Sequence, residues 1–369
     1  MREILHQIAE WHRTGIDCAT ATIVAATGSA PCPVGSVMVF ADTGTVAGGL
    51  TGGCIESDLW HVAVAVMETG RPELRRYSDT DGINAIGLVC GGSIEVLVQP
   101  AGASRLPGLV AMSDAIDGGR PVVLATLVGR GRSMVVTADA VAGTGGGPRL
   151  DAAVVGLARA CLVGNTAVTT YRESIDGERV VFTSIPSPPR LVVYGAVDLA
   201  RPLIRAATVL GFTTTLCDPR AVFATTQRFP EADEVVVDRP HHHLASVDIL
   251  PSTAICVLTH DPRFDVPTLM IALRSAAGYV GAMGSRRTHR DRVRRLRAEG
   301  ITDTELARLC APIGLDLGAV TPAETAVSIL AEIVAKRRGG SGRALTALDG
   351  PIHRANESLL DIVTTVNPS

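Results

Sequence analysis

Leu191-Val192-Val193-Tyr194-Gly195-Ala196-Val197-Asp198-Leu199-Ala200 is the stretch that decides the fold. The apolar run Leu191 to Tyr194 reads as a buried strand, Gly195 supplies a tight turn, and the apolar spacing from Leu199 to Leu210 reads as a helix. Asp218 stands 23 residues after Gly195, at the end of the next apolar run, Thr213 to Cys217. Strand, glycine turn, helix and a second strand ending in an acid is the layout of a Rossmann dinucleotide fold. That fingerprint asks for glycine at its first two places and glycine or alanine at its third. Gly195 and Ala200 comply, and Val197 takes the second place. A β-branched side chain there stands where a pyrophosphate would lie, so NAD(P) is disfavoured, although the helix N-terminus still attracts an anion. Asp218 is the expected partner of a ribose, if one is bound.

Outward from this stretch, apolar runs alternate with helical patterns: Glu234 to Asp238, Ala254 to Thr259, Tyr279 to Met283 and a charged helix from Arg286 to Glu299. A closing helix begins at the capping box Thr321-Pro322-Ala323-Glu324 and runs apolar to Lys336. Strands alternating with helices predict right-handed crossovers and a parallel sheet. The fold class is therefore α/β: a C-terminal Rossmann-like parallel sheet with helices on both faces, plus an N-terminal mixed α/β domain. The expected boundaries are 1–185 for the N-terminal domain, divisible near residue 100, and 186–190 for a linker. The Rossmann-like domain follows at 191–338 and a tail at 339–369. The linker rests on Ile185-Pro186-Ser187-Pro188-Pro189, whose prolines lack donors and cannot continue a sheet or helix.

Ligands collect at the carboxyl ends of the strands in open α/β sheets, and polar residues fall there. Thr259-His260-Asp261 follows one strand and Gly284-Ser285-Arg286-Arg287 the next. Ser285, Arg286 and Arg287 open a helix, and the two guanidinium groups can fork onto phosphate oxygens. His260 would be a general base in a nicotinamide oxidoreductase; equally, His260 and Asp261 can simply turn the chain and cap its next helix. The triplet His241-His242-His243 follows Pro240 and reads as solvated rather than as a metal site.

Two glycine clusters in the N-terminal half each carry a cysteine: Gly48-Gly49-Leu50-Thr51-Gly52-Gly53-Cys54 and Cys90-Gly91-Gly92. Glycine clears side chains so that a bulky ligand can approach the backbone. Cys54 is placed at the start of a helix through Glu56 to Met67, where the dipole favours a thiolate. For each thiol a small buried residue beside a tight turn is the competing reading. The loop Gly143-Thr144-Gly145-Gly146-Gly147-Pro148 carries no evident chemistry. The remaining cysteines are scattered without a C-x-x-C pair among eight in all, so free thiols are expected, with Cys217 and Cys256 as small buried hydrophobes.

Charge narrows the partners. With 34 basic and 37 acidic residues the formal net charge is -3, which offers no field for nucleic acid or an anionic membrane. No apolar run is long enough to span a bilayer, and the start, Met1 to Ile8, holds acid and histidine where a secretory signal needs an apolar core. A cytoplasmic protein is expected, with a homodimer as the commonest soluble assembly.

Several motifs together resemble the xanthine dehydrogenase accessory protein family, XdhC/CoxI. They are Gly284-Ser285-Arg286-Arg287, Pro312-Ile313-Gly314-Leu315-Asp316-Leu317-Gly318-Ala319, Thr321 to Glu324 and Ser328 to Ile333, with Gly28-Ser29-Ala30-Pro31-Cys32-Pro33-Val34-Gly35 and the two cysteine clusters in the family's order. The similarity runs over nearly the whole chain to Arg338. It implies a protein that binds the molybdenum cofactor, as molybdopterin or its dinucleotide form. It also implies one that protects the mature cofactor and helps insert it into a client molybdenum hydroxylase of the xanthine or carbon monoxide dehydrogenase type. Contact with the cofactor's sulfuration machinery is implied too. Many members read G-A-G-H where this chain has Gly195-Ala196-Val197-Asp198, and Arg is usual where Cys32 stands.

The chemistry is compatible: glycine loops and helix N-termini suit a phosphate, and the thiols of Cys54 and Cys90 suit the soft molybdenum-dithiolene end. The expected cofactor-binding set is Gly52, Gly53, Cys54, Cys90, Gly91, Gly92, Gly195, Ala196, Asp218, His260, Asp261, Ser285, Arg286 and Arg287, with Cys54 and Cys90 toward the metal. The competing functions are an NAD(P)-dependent oxidoreductase and an assembly scaffold whose Rossmann domain binds no ligand.

Overall fold

The computed structural model describes residues 2–27, 32–53, 55–78, 92–102, 106, 108–164 and 169–349. The chain divides between Ser187 and Pro188 into two compact units. That break lies in the proline stretch, where the backbone can join neither neighbouring sheet.

The first unit opens with α1 (Arg2–Thr14), β1 (Cys18–Thr27), β2 (Val37–Ala41), β3 (Val46–Gly48), α2 (Glu56–Thr69), β4 (Glu73–Ser78) and β5 (Ser93–Pro100). These strands form an antiparallel sheet in the order β3-β2-β1-β5-β4. Then come α3 (Leu109–Asp117), β6 (Val122–Leu127), β7 (Arg132–Val136), β8 (Val141–Ala142), α4 (Pro148–Gly164), β9 (Thr169–Ile175) and β10 (Glu178–Ile185). Their sheet is again antiparallel, in the order β8-β7-β6-β10-β9. Helix, three strands, helix and two strands occur twice with the same pairing, so this unit is an internal repeat.

Strand alternation builds the cores of both halves. Ala19, Ala21 and Ile23 of β1 join Leu59, Val62 and Val66 of α2 in one cluster, while Cys18 faces another with Ile8, Trp11 and Met112. In the second half Val123 and Ala125 of β6 pack with Val154 and Ala158 of α4. The glycine turns at 48–53 and 143–147 occupy the same place in the two halves, between the third strand and the second helix.

The second unit contains β11 (Arg190–Tyr194), α5 (Ala200–Val209), β12 (Thr213–Cys217), β13 (Glu234–Val236), α6 (Pro240–Ser246), β14 (Ala254–Val257), α7 (Pro262–Arg274), β15 (Tyr279–Ala282), α8 (Arg286–Ala298), α9 (Asp303–Leu306), β16 (Leu309–Cys310) and α10 (Pro322–Arg338). Its six strands are all parallel in the order β13-β12-β11-β14-β15-β16, which is the 3-2-1-4-5-6 order of a dinucleotide fold. Both neighbours of β11 run parallel to it, as its sequence predicts.

Both faces of this sheet are covered, so its strands read as continuous apolar runs rather than alternating ones. Leu191 and Val193 face Leu203, Ile204, Ile329 and Ile333 of α5 and α10, whereas Val192 and Tyr194 face Leu244, Leu269 and Leu296 of α6, α7 and α8. Each such large aliphatic contributes roughly 1.5–3 kcal/mol on burial. The capping box of α10 forms as the sequence predicts, with Thr321 and Glu324 exchanging bonds, and Gly339 ends the helix at φ 68°. Among the described residues no helix is long and apolar enough to cross a membrane.

Candidate functional site

Four strand ends place the sequence-predicted polar residues on one edge of the Rossmann sheet. Gly195 and Ala196 follow β11, Asp218 follows β12, Thr259 to Asp261 follow β14, and Gly284 to Arg287 follow β15. The crevice between β11 and β14 is the topological switch point, where one crossover runs each way and the sheet edge opens. Gly195 has φ 118°, and a Cβ there would lie 3.0 Å from Thr259 Cγ2 and 3.1 Å from the Thr259 amide nitrogen. Only glycine lets the two turns meet so closely. Val197 is half-buried and packs against the cluster that holds Leu199 and Leu203.

The acids of this edge are each tied to an arginine. Asp218 is fully buried; its Oδ2 accepts from the Ala196 amide at 2.8 Å and from Arg220 Nη2 at 2.8 Å, and its Oδ1 accepts from Arg220 N and Nε at 2.9 Å each. Burial alone would raise its pKa, but Arg220 and the Ala196 amide outweigh it and hold the carboxyl below its ordinary value. Asp261 caps α7 by accepting from the Arg263 amide, and the Arg263 guanidinium holds it low. Asp265 is buried, accepts from Thr259 Oγ1, and accepts from Arg292 Nη2 at 2.9 Å. Burial pushes its carboxyl up against the opposing pull of Thr259 and Arg292. His260 is exposed beside this group.

Two features of the edge favour an incoming anion. Arg286 and Arg287 are exposed and have no carboxylate within ion-pair distance among the described residues, while Ser285 caps α8 by accepting from the Thr288 amide. Arg292, only 4% exposed, donates from Nη2 to Asp265 and to the Met283 carbonyl at 2.9 Å, yet its Nη1 has no partner. That atom lies beside Gly284, where a Cβ would come within 3.7 Å of it and 3.1 Å of Thr288. Free guanidinium groups at a helix N-terminus are a suitable donor set for phosphate.

The N-terminal glycine turn is organised differently. The Glu56 carboxylate accepts from the amides of Leu50, Thr51, Gly52, Gly53 and Ile55 at 2.7–3.2 Å and from Thr51 Oγ1 at 2.7 Å. Burial would raise this carboxyl, and the bonds from Thr51 and the backbone lower it to about 2. The amides of Gly52 and Gly53 are thus already directed at an anion, the protein's own. In the repeated half Asp151 plays the corresponding part, accepting from the Gly145 amide at 2.7 Å and Thr144 Oγ1 at 2.6 Å. Gly92 is buried just before β5, whereas Cys54, Cys90 and Gly91 lie outside the described residues.

The comparisons with known proteins follow the same division of the chain. A family profile described as the XdhC Rossmann domain matches residues 191–333. A second, described as the XdhC and CoxI family, matches residues 11–78 and 115–172. The chain belongs to the XdhC and CoxI family. It is 27% identical over 326 residues to a protein of Bacillus subtilis named as a probable xanthine dehydrogenase subunit, covering 87% of this chain and 94% of the relative. It is 26% identical over 336 residues to the molybdenum cofactor insertion chaperone PaoD of Escherichia coli, covering 91% and 88%. A crystal structure described as a xanthine dehydrogenase from Bacillus halodurans aligns with TM-score 0.72 and 26% identity, over 97% of this chain and 99% of that one.

Within this XdhC and CoxI member, reading the sequence missed Arg220, Arg263, Asp265, Arg292 and Glu56. Arg292 carries one usable signal, since Leu296 one turn later is buried and places position 292 on the inward face of α8. Glu56 three residues after Gly53 is a possible reach-back acid, as in a capping box. Elsewhere, His243 is buried in α6 and shares a 3.0 Å hydrogen bond between Nδ1 and the Tyr194 hydroxyl, so the histidine triplet is partly structural. Cys217 and Cys256 are buried in the Rossmann core as expected, and burial lifts the Cys217 thiol to about 12 and the Cys256 thiol also upward. Among the described residues no group of three His, Cys, Asp or Glu side chains is placed to hold a metal ion.

Proposed function

We propose that this chain binds a molybdenum cofactor, shields it, and delivers it to a client molybdenum hydroxylase of the xanthine or carbon monoxide dehydrogenase type. The observation that carries the reading is the edge of the Rossmann sheet. There Asp218, Asp261 and Asp265 are each neutralised by an arginine, while Arg286 and Arg287 are left free for an anion. A phosphate-bearing ligand fits that donor set. Arg286, Arg287 and the Ser285 start of α8 would hold the phosphate, with Gly195, Ala196, His260 and Asp261 lining the crevice. Cys54 and Cys90, beside the glycines 52, 53, 91 and 92, are proposed from the sequence as thiols suited to soft molybdenum chemistry. When bound, the cofactor supplies the redox centre that the client uses; this chain's residues bind, orient and cover it.

The name of the relative PaoD, an insertion chaperone, supports this role, as does the xanthine dehydrogenase name of the Bacillus subtilis relative. The proposed setting is the cytoplasm, with the client enzyme and the cofactor's sulfuration machinery as partners. An NAD(P)-dependent oxidoreductase is the second reading, and the 3-2-1-4-5-6 strand order favours it. Against it, a ribose could take Asp218 only if Arg220 and the Ala196 amide released it, and the second glycine of the dinucleotide fingerprint is replaced by Val197, whose side chain packs against the core.

One experiment separates the readings. The purified chain is incubated in turn with molybdopterin, its dinucleotide form, NAD and NADPH, then desalted, and the retained molybdenum, pterin and nicotinamide are measured. Retention of a molybdenum cofactor without nicotinamide is expected. Low-micromolar nicotinamide binding with no pterin retained would replace the chaperone reading with the oxidoreductase, and retention of neither would leave the scaffold.

A further inference from the structure

We propose that Arg292 is the buried floor of an anion subsite at the start of α8, shaped for a terminal phosphomonoester of the ligand and selecting against a phosphodiester. It rests on the proposed cofactor role only in expecting a phosphate at this sheet edge. Guanidinium and carboxylate commonly meet as a fork, two N–H groups on two oxygens. Arg292 and Asp265 do not. Asp265 Oδ1 accepts from Thr259 Oγ1, so Oδ2 alone is left for Arg292, at 2.9 Å from Nη2. Nη2 also donates to the Met283 carbonyl at 2.9 Å. Two acceptors pin one nitrogen, while Nη1 of the same buried side chain has no partner among the described residues. A buried donor left without an acceptor is rare in a folded protein.

The backbone beside Nη1 is arranged to admit an acceptor. Gly284 has φ 144°, and a methyl group on it would stand 3.7 Å from Nη1 and 3.1 Å from Thr288. Glycine keeps that side of the turn free of a side chain. Next in the chain, Ser285 Oγ accepts from the Thr288 amide at 3.1 Å, and the first two amides of α8, those of Arg286 and Arg287, have no partner among the described residues. Asp265 already meets the charge of Arg292, so Nη1 contributes direction. The exposed Arg286 and Arg287 and the helix end contribute charge.

These donors suit one phosphorus with three free oxygens. A phosphodiester has two, with ester bulk on both sides, and leaves the buried Nη1 unmet. The turn where a dinucleotide would put its diphosphate is closed to it. There the Ala196 amide donates to Asp218 Oδ2 at 2.8 Å, the Val197 amide donates to the Gly195 carbonyl at 2.9 Å, and the Val197 side chain packs against the core. The free donors lie instead after β15, two strands or about 10 Å across the sheet.

The test titrates the full chain with methyl phosphate, a monoester, and dimethyl phosphate, a diester, by calorimetry. Methyl phosphate should bind more tightly. Arg292→Lys keeps a cation for Asp265 but removes Nη1, so it should weaken the monoester about tenfold and leave the diester nearly unchanged. A purely structural loss would weaken both alike. Gly284→Ala, with its methyl beside Nη1, should narrow the preference in the same way and decides if Arg292→Lys fails to fold. In the unaltered chain carrying isotopically labelled arginine, methyl phosphate should shift a buried, slowly exchanging guanidinium signal that dimethyl phosphate leaves in place. No binding of methyl phosphate, equal binding of the two esters, a preference unchanged in the folded variants, or an unmoved guanidinium signal would each overturn the subsite. Molybdenum-cofactor retention is measured separately. Retention by the original and Arg292→Lys alike, with no ester preference, would sink the subsite and leave the chaperone reading, whereas an ester preference without cofactor retention would keep the subsite and sink that reading.

Discussion

The amide of Ala196 donates to Asp218 Oδ2 at 2.8 Å, so the acid that ends β12 is spent on the turn that ends β11. In a nicotinamide domain the same acid holds a ribose. Here Arg220 occupies its remaining acceptor positions, and the carboxylate serves as an internal clamp between two strand ends. Asp218→Asn removes a charged acceptor of several hydrogen bonds and should cost about 2 kcal/mol in urea unfolding. Its folded pKa is depressed, so the stabilisation is present above the ordinary carboxylate range and is lost as pH falls through the folded value. The gap between the two proteins should therefore close in acid. A gap that persists there would show that Asp218 acts through packing instead of charge.

Gly195→Ala tests the contact between the β11 and β14 turns. A methyl group would lie within 3.1 Å of Thr259 atoms, on a residue held at φ 118°. Strain of this kind costs about 1–3 kcal/mol. The variant should unfold at lower urea with an unchanged slope, and it should also lose cofactor retention, because the crevice floor shifts. Equal stability to the original would mean that the turn relaxes freely.

What was legible in the sequence was whatever is written within a few residues. The strand, Gly195 and helix of the Rossmann opening and the capping box at Thr321 and Glu324 each depend on neighbours along the chain. The polar residues at the strand ends were nominated because that is where side chains of a parallel sheet become accessible. Their state was not legible, since Asp265 meets Arg292 across 27 residues and no local pattern marks which of seven arginines in α8 turns inward. The internal repeat was hidden for a related reason: the turns at 48–53 and 143–147 share an acid acceptor, Glu56 or Asp151, but few letters. Of the two cysteine clusters, neither Cys54 nor Cys90 lies among the described residues, so the thiol assignment rests on the sequence.

Arg286→Ala and Arg287→Ala should each lower molybdenum-cofactor retention about tenfold, the worth of one charge-assisted hydrogen bond. Because both side chains are exposed and lack a carboxylate partner among the described residues, unfolding midpoints should hardly move. Raising the salt concentration should weaken binding to the unaltered chain more than to the double variant. Cofactor affinity indifferent to both substitutions would place the phosphate elsewhere.

Glu56 offers the sharpest link between the N-terminal turn and the proposed thiol. Its carboxylate draws in the amides of Gly52, Gly53 and Ile55, the residues on either side of Cys54 in sequence, and Glu56→Gln would replace one acceptor oxygen with a donor that these amides repel. The loss should be about 2–3 kcal/mol by the usual worth of bonds to a charged group. The sign of the pH dependence is fixed by the lowered pKa. The Glu56 contribution is complete above about pH 4.5 and disappears as pH falls toward about 2, so the original and the variant should converge in that window. If Cys54 meets the cofactor, Glu56→Gln should also reduce molybdenum retention at neutral pH, in step with Cys54→Ser and without altering phosphate-dependent binding at Arg286. Retention unchanged in Glu56→Gln and Cys54→Ser alike, with stability lowered only in the former, would confine Glu56 to a structural role and remove Cys54 from the cofactor site.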